Sequence, residues 1–346
     1  MHFRKMVMAL CMVSGALQAQ TTISERKELT IKEMAALSEA VAPEISLRVT
    51  EGKDELVLSF GPIDLPAHAS HHGGIPVPPP RWITIPVDAW LHGYSVELID
   101  KNGAKVPSTT LHHVNVIATQ QRELFSPIML RIAAASGETE PVVLPRLLGL
   151  DVHKGDTLLV RAMLHNPTAK GYEGVRIVVH FPLTRHTARV GAFRIQPFYL
   201  DVTPPSGAHD FDVPAGHSEH FWDAKPAVDA RIVGFSGHVH KYATALRLED
   251  RTTNNVIWET RPDTTGAGDP RAIPVKRFLA SLGYAIHADH TYRLTVVYDN
   301  PTGATIVDGG MGALGGVVLV SRGTKWPLVD PLNPEYQRDV KGMWRP

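Results

Sequence analysis

From about residue 45 onward the chain is a succession of short β-rich runs, each cut off by Gly, Pro or Asn. They include "ISLRV", "ELVLSF", "WITIPV", "YSVELI", "VNVIA", "TLLVRAML", "VRIVVHF", "ARIVGFSG", "TALRLED", "NVIWET", "YRLTVVYD" and "GGVVLVS". Regular short strands with turn signals between them argue for β-sandwiches and against α/β units. "DKNGAK", residues 100–105, is a hairpin turn with Asn102-Gly103 at its centre. The expectation is an all-β chain.

With 346 residues and 43% apolar content there is enough chain for two packed domains. We place one β-sandwich over residues 45–195 and a second over 196–325, with the seam around 192–200. Residues 326–346 lack periodicity and are expected to form an extended tail. No internal repeat stands out. Ahead of the strands, residues 20–44 form a lead-in with one short helix, opened by the capping box "TIKE" at 30–33 and stopped by Pro43.

The first residues, "MHFRKMVMALCMVSGALQAQ", read as a secretory signal over 1–19, with Arg4 and Lys5 before an apolar stretch too short to span a bilayer. Export to the periplasm or beyond is expected. The single cysteine, Cys11, falls inside that stretch, so an exported chain holds together by packing without disulfides. No later segment has eighteen uncharged apolar residues, so no membrane span is expected after cleavage. Lys and Arg balance Asp and Glu at 35 each, which argues against nucleic acid as a partner.

Eighteen histidines point toward metal chemistry. In "GFSGHVHKYATALRLED" (234–250), His238 and His240 lie one residue apart in a strand, so both imidazoles stand on one face. Such a pair is either two solvent-facing side chains or two thirds of a metal site, and flanking Gly237 leaves the backbone room. In "TTLHHVNVI", His112 and His113 are adjacent; in an ideal strand they face opposite ways and share a metal only at a twist or strand end. His165 ends a strand in "LLVRAMLHNPT", where a structural histidine is the plain alternative. Met311, alone in the glycine-rich "VDGGMGALGGVVLV", is either core filler or a soft ligand. A thioether beside imidazoles favours copper, and zinc's thiolate is not available.

Taken in order, a His-His pair, a lone His ending a strand, a His-x-His and a Met in a glycine-rich strand resemble the copper type II, ascorbate-dependent monooxygenases. That family includes peptidylglycine α-hydroxylating monooxygenase and dopamine β-monooxygenase. "PVDAWLHGYSVEL", "LHHVNVI", "GDTLLVRAMLHNPT", "VVHFPLTRHTARVGAFRI", "GHVHKYATALRLED" and "YDNPTGATIVDGGMG" follow the family's order across residues 80–320. The resemblance implies two tandem jelly-roll-type β-sandwich domains with a metal site in each. It implies that His112, His113 and His165 hold an electron-transfer copper. His238, His240 and Met311 would then hold the copper at which O2 is activated and an activated C–H bond hydroxylated. Two copper ions, ascorbate or another one-electron reductant, O2 and a small-molecule substrate are the implied cofactors and partners. The alternative is an exported copper-storage or delivery protein on the same scaffold.

The chain departs from the peptide-processing members at Ser236, where they carry arginine, and at Ala313 and Gly315, where they carry Asn and Tyr. Those side chains are associated with gripping a peptide carboxylate, so a glycine-extended peptide is not the expected substrate. Two further histidine groups, His68, His71 and His72 in a Pro/Gly-rich loop and His209, His217 and His220 in "HDFDVPAGHSEHFWD", read as polar loop residues or as extra metal ligands.

Overall fold

Glu55–Leu65 illustrates how the strands form: Leu56, Leu58 and Phe60 alternate with polar or half-exposed neighbours, and all three are fully buried. The same period-2 pattern recurs along the chain and makes the protein all-β. This is a computed structural model describing residues 43–344, apart from 51, 70–73, 188–190, 204–209 and 279–281. The signal segment, the helical lead-in, His71, His72 and His209 lie outside the described residues. No helix among the described residues is long and apolar enough to cross a membrane.

Two four-stranded antiparallel sheets have one order. The first runs Arg81–Thr84, Thr157–Leu164, Leu111–Arg122, Met129–Ala135; the second runs Gly216–Ala224, Tyr292–Asn300, Ala243–Asp250, Asn255–Thr260. Counted along the chain, both read first, fourth, second, third. Each shares a core with a longer sheet whose path is Ile45–Val49, Glu55–Leu65, Tyr172–Arg185, Ala89–Leu91, Leu148–Val152, Phe193–Asp201, Gly312–Leu319, Ala230–Val239 and Lys276–Arg277. The protein is thus two tandem β-sandwiches joined through one continuous sheet. The stretch around 192–200, expected as the seam, is itself the strand Phe193–Asp201, pairing with Leu148–Val152 on one side and Gly312–Leu319 on the other. Gly312–Leu319 pairs on its other side with Ala230–Val239, and Gly316 makes that approach close: a Cβ there would lie 2.5 Å from the Gly234 carbonyl oxygen and 2.6 Å from the Phe235 Cβ.

The likeness of the two halves extends to hydrogen bonds. Asn166 donates from Nδ2 to the carbonyls of Leu65, Pro66 and Lys170, and its Oδ1 accepts from the Thr168 amide and hydroxyl. Asn300 does the same with Val213, Pro214, Ala304 and Thr302. Both begin an "NPT" turn and both are buried. Each half also carries a bulge just before that turn. Leu111 and His113 face the consecutive residues Leu164 and Met163, leaving His112 extra; Ala243 and Ala245 face Tyr298 and Val297, leaving Thr244 extra.

The tail is not extended throughout. Pro334–Met343 is a helix, with Asn333 accepting from the amides of Glu335 and Tyr336, Pro334 in the first turn and Lys341 in the last. Capping sets this ten-residue element, which is too short for a clear apolar stripe. It docks on the first sandwich through Asp339, whose carboxylate pairs with Arg131 at 2.6 Å and accepts from the Met129 amide at 3.0 Å.

Next to that pair, Glu123 is completely buried. Its two carboxylate oxygens accept from the amides of Arg131 (2.7 Å) and Tyr199 (3.0 Å), so it ties the first four-stranded sheet to the long one. Burial pushes Glu123 up from 4.5 to about 7, against the pull of the Arg131 charge. A carboxyl raised in the folded state binds its proton more tightly there than in the unfolded chain. Its contribution therefore falls as pH rises from 4.5 through about 7, by on the order of 3 kcal/mol. Glu123→Gln should remove that component: the unfolding free-energy difference between variant and wild type, from urea titrations, should shift in the variant's favour between pH 5 and pH 8. A difference that does not change with pH would refute the assignment.

Candidate functional site

The bulge at His112 settles how two adjacent histidines share a face. With His112 as the extra residue, both imidazoles turn to one side of the strand, and their Nδ1 atoms lie 2.9 Å apart. With nitrogen–metal bonds of about 2.0–2.1 Å, two donors at that separation subtend about 90° at a cation. His165 completes the group from the end of Thr157–Leu164, its ring centre 5.6 Å from that of His112. Its amide donates to the Thr110 carbonyl, and its Nε2 contacts the Thr109 carbonyl. A carbonyl only accepts, so Nε2 carries the proton and Nδ1 keeps its lone pair. Three imidazoles that the sequence read separately therefore meet in one place.

The second group lies on the outer face of Ala230–Val239. Phe235, Gly237 and Val239 turn into the core, while Ser236, His238 and His240 alternate to the other side. Gly237 serves packing rather than ligand room: a Cβ there would lie 2.5 Å from the Leu246 side chain. The rings of His238 and His240 are perpendicular, 5.1 Å between centres. His238 pairs with Ala313 and Val239 with Gly312, so one step further the register brings His240 level with Met311. One hydroxyl locks that alignment. The buried Tyr298 phenol accepts from the Met311 amide at 2.9 Å and the His240 amide at 3.2 Å, and donates to the Met311 carbonyl at 2.6 Å. Burial pushes this phenol up to about 12, so it stays protonated and able to donate.

Each imidazole of the second group has an anchoring acceptor. His238 donates from Nδ1 to the Glu138 carboxylate, so when the ring is neutral Nε2 is the nitrogen that carries the lone pair. Burial opposes the charge on Glu138, yet the His238 hydrogen bond and charge, with the Ser136 hydroxyl, hold its carboxyl down at about 2. The Gly309 carbonyl accepts from the ring of His240. Burial, with the neighbouring His238 charge, lowers His240 to about 4, so it is a neutral donor at ordinary pH.

Glu138 also connects the two groups. It sits in the turn that follows Met129–Ala135, the strand paired with the His113 strand at Val114–Ala135. The turn packs on residues 108–109, because a Cβ at Gly137 would lie 2.7 Å from the Ser108 carbonyl oxygen. Thr109 in turn anchors His165. A carboxylate from the first sandwich thus reaches a histidine of the second across one short turn. Sequence reading found the six ligand-type residues but neither Glu138 nor Tyr298, which lie 100 and 58 residues from the histidines they hold. A lone Glu in "SGETE" and a Tyr in a strand carry no spacing signal.

Apart from the Glu138 carboxylate, the residues flanking His238 on its own and the neighbouring strand are small and uncharged. Ser236 donates its hydroxyl to the Ile273 carbonyl, Ala313 is buried, and a Cβ at Gly315 would meet open space. Among the described residues, the other histidines singled out in the sequence have different surroundings. His220 stacks on Phe211 at 4.1 Å between centres, and burial lowers its pKa; His217 is exposed opposite Asp299, and His68 lies in a turn at positive φ.

No protein-family model matches the chain, and no curated protein matches it in sequence. Solved structures similar to it include the infectious bursal disease virus VP2 subviral particle, at 10% identity over 83% of this chain and 72% of that one, TM-score 0.25. A candidate secreted protein of Eubacterium rectale aligns at 10% identity over 72% and 70%, TM-score 0.23. A chain of Sulfolobus Turreted Icosahedral Virus aligns at 10% identity over 79% and 62%, TM-score 0.18. At these TM-scores the likeness carries no information on function.

Tyr298→Phe keeps the buried ring and removes three hydrogen bonds to backbone groups of His240 and Met311. It should destabilise the fold by about 2–4 kcal/mol in chemical denaturation. Loss below about 0.5 kcal/mol would show that the hydroxyl does not hold the two segments together.

Proposed function

We propose that this chain is an exported copper-dependent monooxygenase that hydroxylates an activated C–H bond of a small organic substrate, using O2 and an ascorbate-like one-electron reductant. The observation that supports it best is the meeting of His112, His113 and His165 on one bulged strand pair, beside a second group in which His238 and His240 share a face level with Met311. The donor chemistry fits copper. One group offers three imidazoles; the other offers two imidazoles next to a thioether residue, and the nearest carboxylate is engaged by His238. Bound copper would supply one-electron transfer at the first group and O2 activation at the second.

The residues divide the work. Thr109, Glu138 and the Gly309 carbonyl hold ring nitrogens and so orient the opposite nitrogens of His165, His238 and His240. Tyr298 keeps the His240 and Met311 segments level. Ser236, Ala313 and Gly315 leave the approach to His238 without a cation, so a neutral substrate suits it better than a peptide carboxylate. The turn carrying Glu138 links the two groups: Glu138 holds His238, and the adjoining Gly137 packs on residues 108–109, where Thr109 holds His165. The amino-terminal signal pattern supports export.

The test is copper content of the mature protein after loading, reduction with ascorbate and dialysis against a mild chelator. Two equivalents per chain are expected, with His165→Ala losing one and Met311→Ala weakening the other by at least about tenfold. Ascorbate-dependent O2 uptake that requires an added organic substrate would complete the case. Two coppers without such uptake would point to copper delivery, and none retained would overturn the reading.

A further inference from the structure

We propose that Asp88, Asp151, His153 and His186 form a separate divalent-cation site, of the mixed imidazole–carboxylate kind that suits zinc, at the edge of the first sandwich. The strand pairing builds it. Ala89–Leu91 lies between Leu148–Val152 and Tyr172–Arg185, with Ala89 opposite both Val152 and Arg185. One residue beyond, the same registers bring Asp88, His153 and His186 level on three neighbouring strands, and the His186 amide donates to the Asp88 carbonyl at 3.2 Å. Asp151 precedes His153 by two positions and so shares its face.

The side chains converge accordingly. One ligand atom from each of Asp88, His153 and His186 lies within 4.8 Å of the other two. Asp151 Oδ1 lies 3.1 Å from His186 Nε2 and 3.6 Å from His153 Nε2, while Asp88 Oδ1 lies 3.6 Å from His153 Nδ1. The decisive pair is Asp151 Oδ1 and His186 Nε2. Both atoms are buried and neither makes a hydrogen bond, although they face each other at 3.1 Å. Buried polar atoms are almost always satisfied. With bonds of about 2.0–2.1 Å, a cation between them would have an angle near 100° and satisfy both at once. Asp88 and His153 are more than half exposed and can close around this fixed pair, His153 with either nitrogen. Trp90 packs against His186 from the side, 5.2 Å between ring centres, and limits its movement.

Two carboxylates make this site harder than either histidine group of the proposed oxygenase, so it prefers zinc to cuprous copper. Such a cation would clamp three adjacent strands of the long sheet. The site stands apart from the copper reading: its residues are none of the six proposed copper ligands.

Zinc titration of the metal-free full chain by calorimetry, with cobalt(II) as the visible probe, tests the proposal. The background is a His112→Ala/His238→Ala variant, so that the other imidazole groups do not compete. One zinc equivalent is expected, with a rise in melting temperature and cobalt absorption typical of low coordination number. Asp151→Asn and the exposed His153→Ala should each weaken zinc at least about tenfold and abolish the thermal shift. His153→Ala is a surface change that leaves the fold intact by circular dichroism. If it and Asp151→Asn bind zinc as the background does, or if the background binds none, the site does not exist. Neither result bears on copper retention by the unmodified protein.

Discussion

Gly312–Leu319 pairs with two strands at once, and the rest of the molecule depends on that double pairing. On one side it meets Phe193–Asp201, the last long strand of the first sandwich; on the other it meets Ala230–Val239, the His-x-His strand of the second. Hydrogen bonds to both neighbours turn two separate sheets into one. The approach is so close at residue 316 that only glycine fits between the Gly234 carbonyl and the Phe235 side chain. Because Met311 immediately precedes this strand, its position relative to His240 follows from the same register. The geometry of the second histidine group is therefore a by-product of how the two sandwiches are joined.

Irregularities, not regular strands, bring the polar groups together. A regular strand would put His112 and His113 on opposite faces; the bulge turns both to one side. The Tyr298 hydroxyl supplies bonds that the ladder cannot, where Met311 and His240 leave the paired region. Among the described residues, Asp151 Oδ1 and His186 Nε2 are two of the buried side-chain atoms that find no hydrogen-bond partner. Glu123 shows the cost of burying a carboxyl: two backbone amides hold it, but burial still raises it to about 7.

How much of this was legible in the chain depends on the range of the interaction. Alternation within strands is local, so the all-β class and the hairpin at Asn102-Gly103 could be read directly; the Gly103 amide does donate back to the Asp100 carbonyl. His238 and His240 were legible as a same-face pair for the same reason. The convergence of His165 with His112 rests on a pairing some 50 residues apart, and Glu138 on a contact 100 residues apart, for which no period exists in the sequence. Asp88, His153 and His186 escaped notice because each sits just past a strand end, where patterning stops. The carboxy-terminal helix was missed because a cap and a few charges, not an apolar stripe, define it.

The bulge recurs in the second sandwich, and so does the asparagine-bonded corner after it. At the places equivalent to His112, His113 and His165 stand Thr244, Ala245 and Asp299. The kink therefore belongs to the scaffold, built in both halves whether or not a histidine is there to use it. Only one copy was furnished with imidazoles, while the other half gathers its own on a different strand. The two histidine groups are not images of one another under the symmetry of the fold. Each can thus drift, be lost or be retuned by substitution without a matching change in its neighbour.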